Sequence, residues 1–312
     1  MEHLKHFGIG DDPFCNESLE SFQLELSPQT DALRRVERGV RQGRRLVLLV
    51  GGVGCGKTTV ARRLYDELEE EHFGSSMTVI LHDRPEPGWM LGHVAKCLGV
   101  KKVAEGREAR IAQIYARLQE NREAGLQNVL IVDDAQTLAT REALLEICGL
   151  VKLESEDRGL LSLVLVGTEE LGHAISADPR LRYQVEVRVE MRGLGADEFA
   201  GYLAGRMKAA DGDPRILAPD ALAALAQYSA GCPGLANVLA DNALFEAFLA
   251  ERRELTQADV IRAHGALGWA APEASVEKAR KPGKQGSFGS VAPLDLIEVS
   301  KPEDEPGDAL GL

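Results

Sequence analysis

Gly51-Gly52-Val53-Gly54-Cys55-Gly56-Lys57-Thr58 decides the fold of this 312-residue chain. It stands between the apolar run Leu46-Val47-Leu48-Leu49-Val50 and an amphipathic stretch from Val60 to Glu71. It therefore reads as the turn from a buried strand into a helix. The spacing of Gly51, Gly56, Lys57 and Thr58 meets the demands of a polyphosphate. Glycines let backbone N–H groups converge on an anion with no Cβ in the way, and a helix start adds a partial positive charge. A lysine at this place reaches the β- and γ-phosphates, and the following hydroxyl binds the Mg²⁺ that bridges them. The expected cradle is Gly51, Gly52, Val53, Gly54, Cys55, Gly56, Lys57, Thr58 and Thr59, and its ligand a nucleoside triphosphate.

Working outward, Val129-Leu130-Ile131-Val132 is a second apolar run, and it ends in Asp133-Asp134. Two acids at the carboxyl end of a buried parallel strand stand where an α/β sheet places its ligands. Asp133 is expected to hold Mg²⁺ together with Thr58, and Asp134 to orient or deprotonate the attacking water. Helix capping is the alternative for either acid. Leu161 to Val166 forms another strand, ending at Gly167-Thr168. The Thr168 hydroxyl either senses the γ-phosphate or caps the helix that opens at Glu169.

Further strands are expected over Thr78 to His82 and, at a sheet edge, over Val185 to Val189. Helices fit Ser27 to Gln42, Trp89 to Leu98, Arg107 to Ala124 and Glu142 to Leu153. Ile111, Ile114, Tyr115 and Leu118 recur at helical spacing as core candidates. Alternation of strands and helices implies an α/β fold, a parallel P-loop sheet sandwiched by helices. From Ala196 only helical patterns remain, which reads as a small C-terminal all-helical lid domain. The division is an arm over 1–26 packed on the core, an α/β nucleotide-binding domain over 27–194, a lid over 195–268 and a disordered tail over 269–312.

Composition narrows the setting. A 44% hydrophobic, 27% charged chain is an ordinary globular protein. No apolar stretch is long enough to span a bilayer and the first residues lack a signal peptide's pattern, so the expected location is cytoplasmic. Five scattered cysteines without a C-x-x-C pair indicate neither a disulfide framework nor a zinc site. A net charge of −13 does not favour a nucleic-acid partner. The cluster Arg34, Arg35, Arg38, Arg41, Arg44 and Arg45 reads as a solvated helix face, with a nucleic-acid or partner surface as the alternative.

The order of these features resembles AAA+ ATPases of the type II secretion ExeA/GspA kind, relatives of the TniB, TnsC and MuB transposition ATPases. The resemblance spans about Leu4 to His264 and rests on five segments. They are His6-Phe7-Gly8 with Pro13-Phe14, the glycine-rich loop, Val132-Asp133-Asp134-Ala135-Gln136, Leu165 to Leu171, and Gly231-Cys232-Pro233-Gly234-Leu235-Ala236-Asn237. It implies ATP rather than another nucleotide, Mg²⁺ as cofactor, homo-oligomers that form with ATP bound, and a protein partner that is remodelled or recruited. Three positions depart from the family pattern. The catalytic glutamate is Asp134, the lid arginine is Gly234, and the arginine before the edge strand aligns with Gln184, leaving Arg182 or Arg180 as the candidate finger. These departures imply slow hydrolysis. The alternatives are an ATP-gated switch or adaptor with little hydrolysis and a DNA-associated regulator of the transposition type.

Overall fold

The computed structural model describes residues 2–15, 26–80, 88–138 and 140–269. The proposed tail and most of the turn-rich segment after Ile80 lie outside these residues. Chain order is α1 (Glu2–Phe7), α2 (Ser27–Arg41), β1 (Leu46–Gly51), α3 (Lys57–Glu67), β2 (Phe73–Val79), α4 (Trp89–Cys97), α5 (Arg107–Glu123) and β3 (Gln127–Asp133). It continues with α6 (Arg141–Gly149), a small hairpin of β4 (Glu154–Ser155) and β5 (Arg158–Gly159), β6 (Leu161–Gly167), α7 (Glu169–Ala177), α8 (Pro179–Arg182) and β7 (Val187–Met191). Helices alone follow: α9 (Ala196–Ala209), α10 (Pro219–Tyr228), α11 (Pro233–Leu249) and α12 (Gln257–Ala266).

Five strands form one parallel sheet in the order β2-β3-β6-β1-β7. Strand periodicity sorts its side chains. Leu46, Leu48 and Val50 of β1 face the cluster under α4, α5 and α6, together with Leu130, Val132, Leu163 and Leu165. Val47 and Leu49 face the opposite cluster with α2 and α3, together with Val129, Ile131, Val164 and Val166. Both faces are covered, so the middles of the three central strands, residues 129–132, 163–166 and 46–50, carry no polar residues. This is why their sequence is continuously apolar rather than alternating.

Two expectations need correction. Among the described residues, the arm's apolar side chains join the C-terminal helices and not the clusters of the α/β core. Leu4, Phe7, Ile9 and Phe14 enter the cluster of the C-terminal helices, beside Phe199, Leu203 and Leu244. The Gly10 N–H donates to the Ala210 carbonyl at 2.9 Å, and buried Arg206 donates to the Pro13 carbonyl at 2.6 Å. Aromatic spacing alone could not say which apolar face the arm would cover. On α5, Ile114 and Leu118 are fully buried, whereas Tyr115 is exposed. One residue's rotation around the helix carries it off the buried stripe.

Candidate functional site

The carboxyl ends of β1, β3 and β6 converge, because Val50 pairs with Gly167 and Val132 with Leu165. The glycine-rich loop leaves β1 at this edge and enters α3 at Lys57. Two of its glycines adopt left-handed backbone, Gly54 at φ 75° and Gly56 at φ 91°. At Gly56 a Cβ would lie 2.2 Å from Gln29 Nε2, so the side chain from the start of α2 crosses the loop. At Gly51 a Cβ would meet the Met191 carbonyl at 2.5 Å, which fixes the loop's entry against the end of β7.

Lys57 is buried, and its ammonium donates to the loop's own Gly52 carbonyl at 2.8 Å. Burial lowers its pKa, opposed by the charges of Asp133, Asp134 and Glu169. Asp133 is 1% exposed, and burial raises its pKa, opposed by the Thr58 hydroxyl and the Asp134 N–H. Its Oδ1 accepts from that N–H at 2.9 Å, while Oδ2 is buried with no hydrogen-bond partner among the described residues. Such an atom is costly unless something supplies it with a donor or a positive charge. The Thr58 hydroxyl lies near enough to lower the Asp133 pKa, so the residues predicted as the metal pair are neighbours at the end of the loop.

Asp134 takes the left-handed conformation at φ 52°, which aspartate tolerates better than most residues. Its Oδ1 accepts from Gln136 Nε2 at 3.1 Å, and Gln136 Oε1 accepts from the Thr168 N–H at 3.1 Å. One side-chain amide thus ties the ends of β3 and β6 together. Gly167 makes room for it, since a Cβ there would lie 2.7 Å from Gln136 Oε1. Thr168 occupies the N-cap position of α7 without capping through its hydroxyl, which is buried and without a partner among the described residues. The capping alternative is thereby disfavoured.

Arg182 is not brought to this edge by its own chain's contacts. Its guanidinium lies 4.9 Å from the Tyr183 ring centroid and donates to the Tyr183 hydroxyl at 3.2 Å, on the exposed end of α8. Arg180 pairs with Asp178 at 3.5 Å, and Gln184 donates to the Arg180 carbonyl at 2.6 Å.

The C-terminal helices close on the loop through the start of α11. The Gly234 N–H donates to the Gly54 carbonyl at 2.9 Å. A Cβ at Gly234 would come within 3.1 Å of the Gly54 Cα and carbonyl oxygen, so this approach accounts for glycine where the related pattern has arginine. Beside it Cys55 and Cys232 form a disulfide, with Cα atoms 4.6 Å apart. This corrects the reading of the cysteines as unpaired. The partners stand 177 residues apart in sequence, so no local spacing signals the pair. Gln29 and the bridging role of Gln136 also escape the sequence, since each depends on which elements meet. Three of the six arginines of the basic cluster are paired: Arg41 with Glu37 and Glu69, Arg44 with Glu186 and Arg45 with Glu154.

Taken together, glycines where a Cβ would obstruct, a buried lysine and orphaned buried oxygens on Asp133 and Thr168 fit a polyphosphate with a divalent cation. Residues 40–175 match the family described as AAA domain. The chain is 29% identical over 263 residues to general secretion pathway protein A of Aeromonas hydrophila, covering 83% of this chain and 47% of the relative. It thus spans about half the length of that curated relative. Similar solved structures include Cdc6p from Pyrobaculum aerophilum, with TM-score 0.60, 20% identity and coverage of 83% and 71%. The ORC1 protein of Aeropyrum pernix in complex with DNA gives TM-score 0.59, 20% identity and coverage of 82% and 68%. At such identities these likenesses establish the fold alone.

Proposed function

We propose, starting from the AAA+ P-loop ATPase fold of this chain, that it is a slow, Mg²⁺-dependent ATPase whose nucleotide state governs assembly or the remodelling of a protein partner. One observation carries the reading. The Thr58 hydroxyl and the Lys57 ammonium both lie near enough to lower the pKa of the buried Asp133 carboxylate, whose Oδ2 has no hydrogen-bond partner among the described residues.

In this reading residues 51–59 grip the phosphates through backbone N–H groups, Lys57 turns from the Gly52 carbonyl to the β- and γ-oxygens, and Thr58 with Asp133 would hold the cation. Bound Mg²⁺ would supply charge neutralisation across the phosphates. Asp134 orients the lytic water and receives its proton, and Gln136 holds that carboxylate in place. Thr168 offers its hydroxyl to the terminal phosphate or the water. Arg182, projecting at the surface, serves a neighbouring subunit's site. The helices from Ala196 act as a lid over the nucleotide, and a cytoplasmic location suits the reading.

Slow turnover follows from the shorter reach of Asp134 and from the absence of a lid arginine at Gly234, since misplacing the water by ~1 Å costs on the order of a hundredfold. An ATP-gated switch with little hydrolysis is the second reading that these two positions favour. Titration calorimetry with ATP and Mg²⁺ tests binding: saturable heat is expected for the wild type, and its absence would refute the proposal. Phosphate release then separates enzyme from switch, because a switch releases none.

A further inference from the structure

The Cys55–Cys232 bond joins the glycine-rich loop to the start of the C-terminal helix that closes on it. Cys55 lies inside the glycine-rich loop, between the left-handed Gly54 and Gly56. Cys232 is the N-cap residue of α11, in the turn that presses Gly234 onto Gly54. Both cysteines are buried, at 3% and 5% exposure. Beside the bond the Gly234 N–H donates to the Gly54 carbonyl at 2.9 Å, a backbone contact between the same turn and the loop. No other tie on this edge is covalent among the described residues.

We infer that Cys55 and Cys232 form a reversible redox latch that controls nucleotide exchange by welding the lid to the phosphate-binding loop. The inference rests on the nucleotide reading of residues 51–59 and adds its regulation. In the dithiol state the α11 turn can lift from Gly54 by breaking one hydrogen bond and some packing, which thermal motion does readily. In the disulfide state that displacement requires breaking an S–S bond, so nucleotide held between loop and lid is trapped, and an empty site stays closed to entry.

The chemistry closes with a small-molecule disulfide as oxidant. One protein thiolate attacks a sulfur of R–S–S–R, forming a mixed disulfide and expelling RS⁻. The second protein thiolate attacks the cysteine sulfur of that mixed disulfide, forming the Cys55–Cys232 bond and expelling the second RS⁻. Two electrons pass to the small molecule, and the two thiol protons leave with two RSH. A reducing dithiol reverses both steps. Both cysteines stand at helix starts, Cys55 just before the Gly56 N-cap of α3 and Cys232 at the cap of α11. The partial positive charge at such ends favours thiolate, the attacking form.

The test loads the full chain with a fluorescent ATP analogue in dithiothreitol, then keeps one portion reduced and exchanges the other into oxidised glutathione, with peptide mapping to score the bond. The release rate of the analogue is then measured for each portion by chase with excess ATP. The bond is expected only in the oxidised sample, with analogue release slowed there at least ~10-fold. Cys232→Ser should release at the reduced wild-type rate under both conditions, with Cys232→Ala as a second variant if the first melts early. Failure of the bond to form, or equal release from both states of the wild type, overturns the latch alone. Lack of analogue binding to the reduced protein overturns the nucleotide reading and the latch with it.

Discussion

At the residue scale, two positions carry the sharpest predictions. Lys57 is the one ammonium buried at the loop, and its partner here is a backbone carbonyl only 2.8 Å away, a contact easily exchanged for phosphate oxygens. Lys57→Ala is expected to weaken ATP binding by ~100-fold or more in calorimetry, because nothing else of that charge is enclosed at the loop. Unchanged affinity would remove the loop from the site. Gly234 is the opposite case, a residue defined by what it lacks. Placing a methyl 3.1 Å from the Gly54 backbone obliges the α11 turn and the loop to part by a few tenths of an ångström, and Gly234→Ala should cost about 1–3 kcal/mol in denaturant unfolding. Restoring the related pattern with Gly234→Arg is therefore expected to lower nucleotide affinity rather than raise it. Asp134→Glu differs again, since it extends a carboxylate already held by Gln136. Its phosphate release should exceed the wild-type rate several-fold, while a rate equal to or below wild type would remove Asp134 from the water-orienting role.

At the element scale, the last helix is set by one buried carboxylate. Asp259 is fully buried at the third position of α12, where it accepts from the Thr256 N–H at 2.9 Å and hydroxyl at 2.7 Å, and pairs with Arg252 and Arg262. Burial alone would raise its pKa, yet the Thr256 donors and Arg252 outweigh that and hold it below the ordinary carboxylate value. A lowered folded pKa gives stability that is present above the unfolded value near ~4 and lost as pH falls through the folded one. Asp259→Asn should thus melt well below the wild type at neutral pH, by about 2 kcal/mol, and the gap should narrow on acidification below ~4. A gap that stays constant with pH would contradict the account. The same capping arithmetic explains what sequence reading catches and misses among elements. Helix α2 was readable because Pro28 opens it and Gly43 follows its end, and the central strands because both faces are buried. Strand β2 was not placed well. Its Phe73-Gly74-Ser75-Ser76 start is polar, since this edge strand is only half covered, so its sequence looks like a turn and the expected span began too late, at Thr78. The phosphate loop and its two acids were legible because local spacing defines them. Gln29, Gln136 and the cysteine pair were not, because each is defined by a distant element arriving beside it.

For the whole molecule, the question is whether one chain completes its own chemistry. The loop, Asp133, Asp134, Gln136 and Thr168 meet at one sheet edge, yet no arginine of the α8–β7 segment is turned toward it. Arg182 instead stacks on Tyr183, a ring that is 78% exposed and therefore a large aromatic left in water. An exposed arginine–aromatic pair suits insertion into a neighbouring copy, where an arginine supplied in trans is worth ~10³-fold or more in rate. Two measurements follow from this. A non-hydrolysable ATP analogue should raise the sedimentation coefficient of the reduced protein, and phosphate release per subunit should climb with protein concentration across the same range. Arg182→Ala should bind ATP with affinity within about twofold of wild type, because the residue touches no part of its own loop, while its rate per subunit becomes flat with concentration. If instead the wild type sediments as a monomer in every nucleotide state and its rate per subunit is already independent of concentration, Arg182 has no partner to serve. Each chain would then work alone with a site lacking an arginine, which is the geometry of a nucleotide-gated switch rather than of a cycling enzyme.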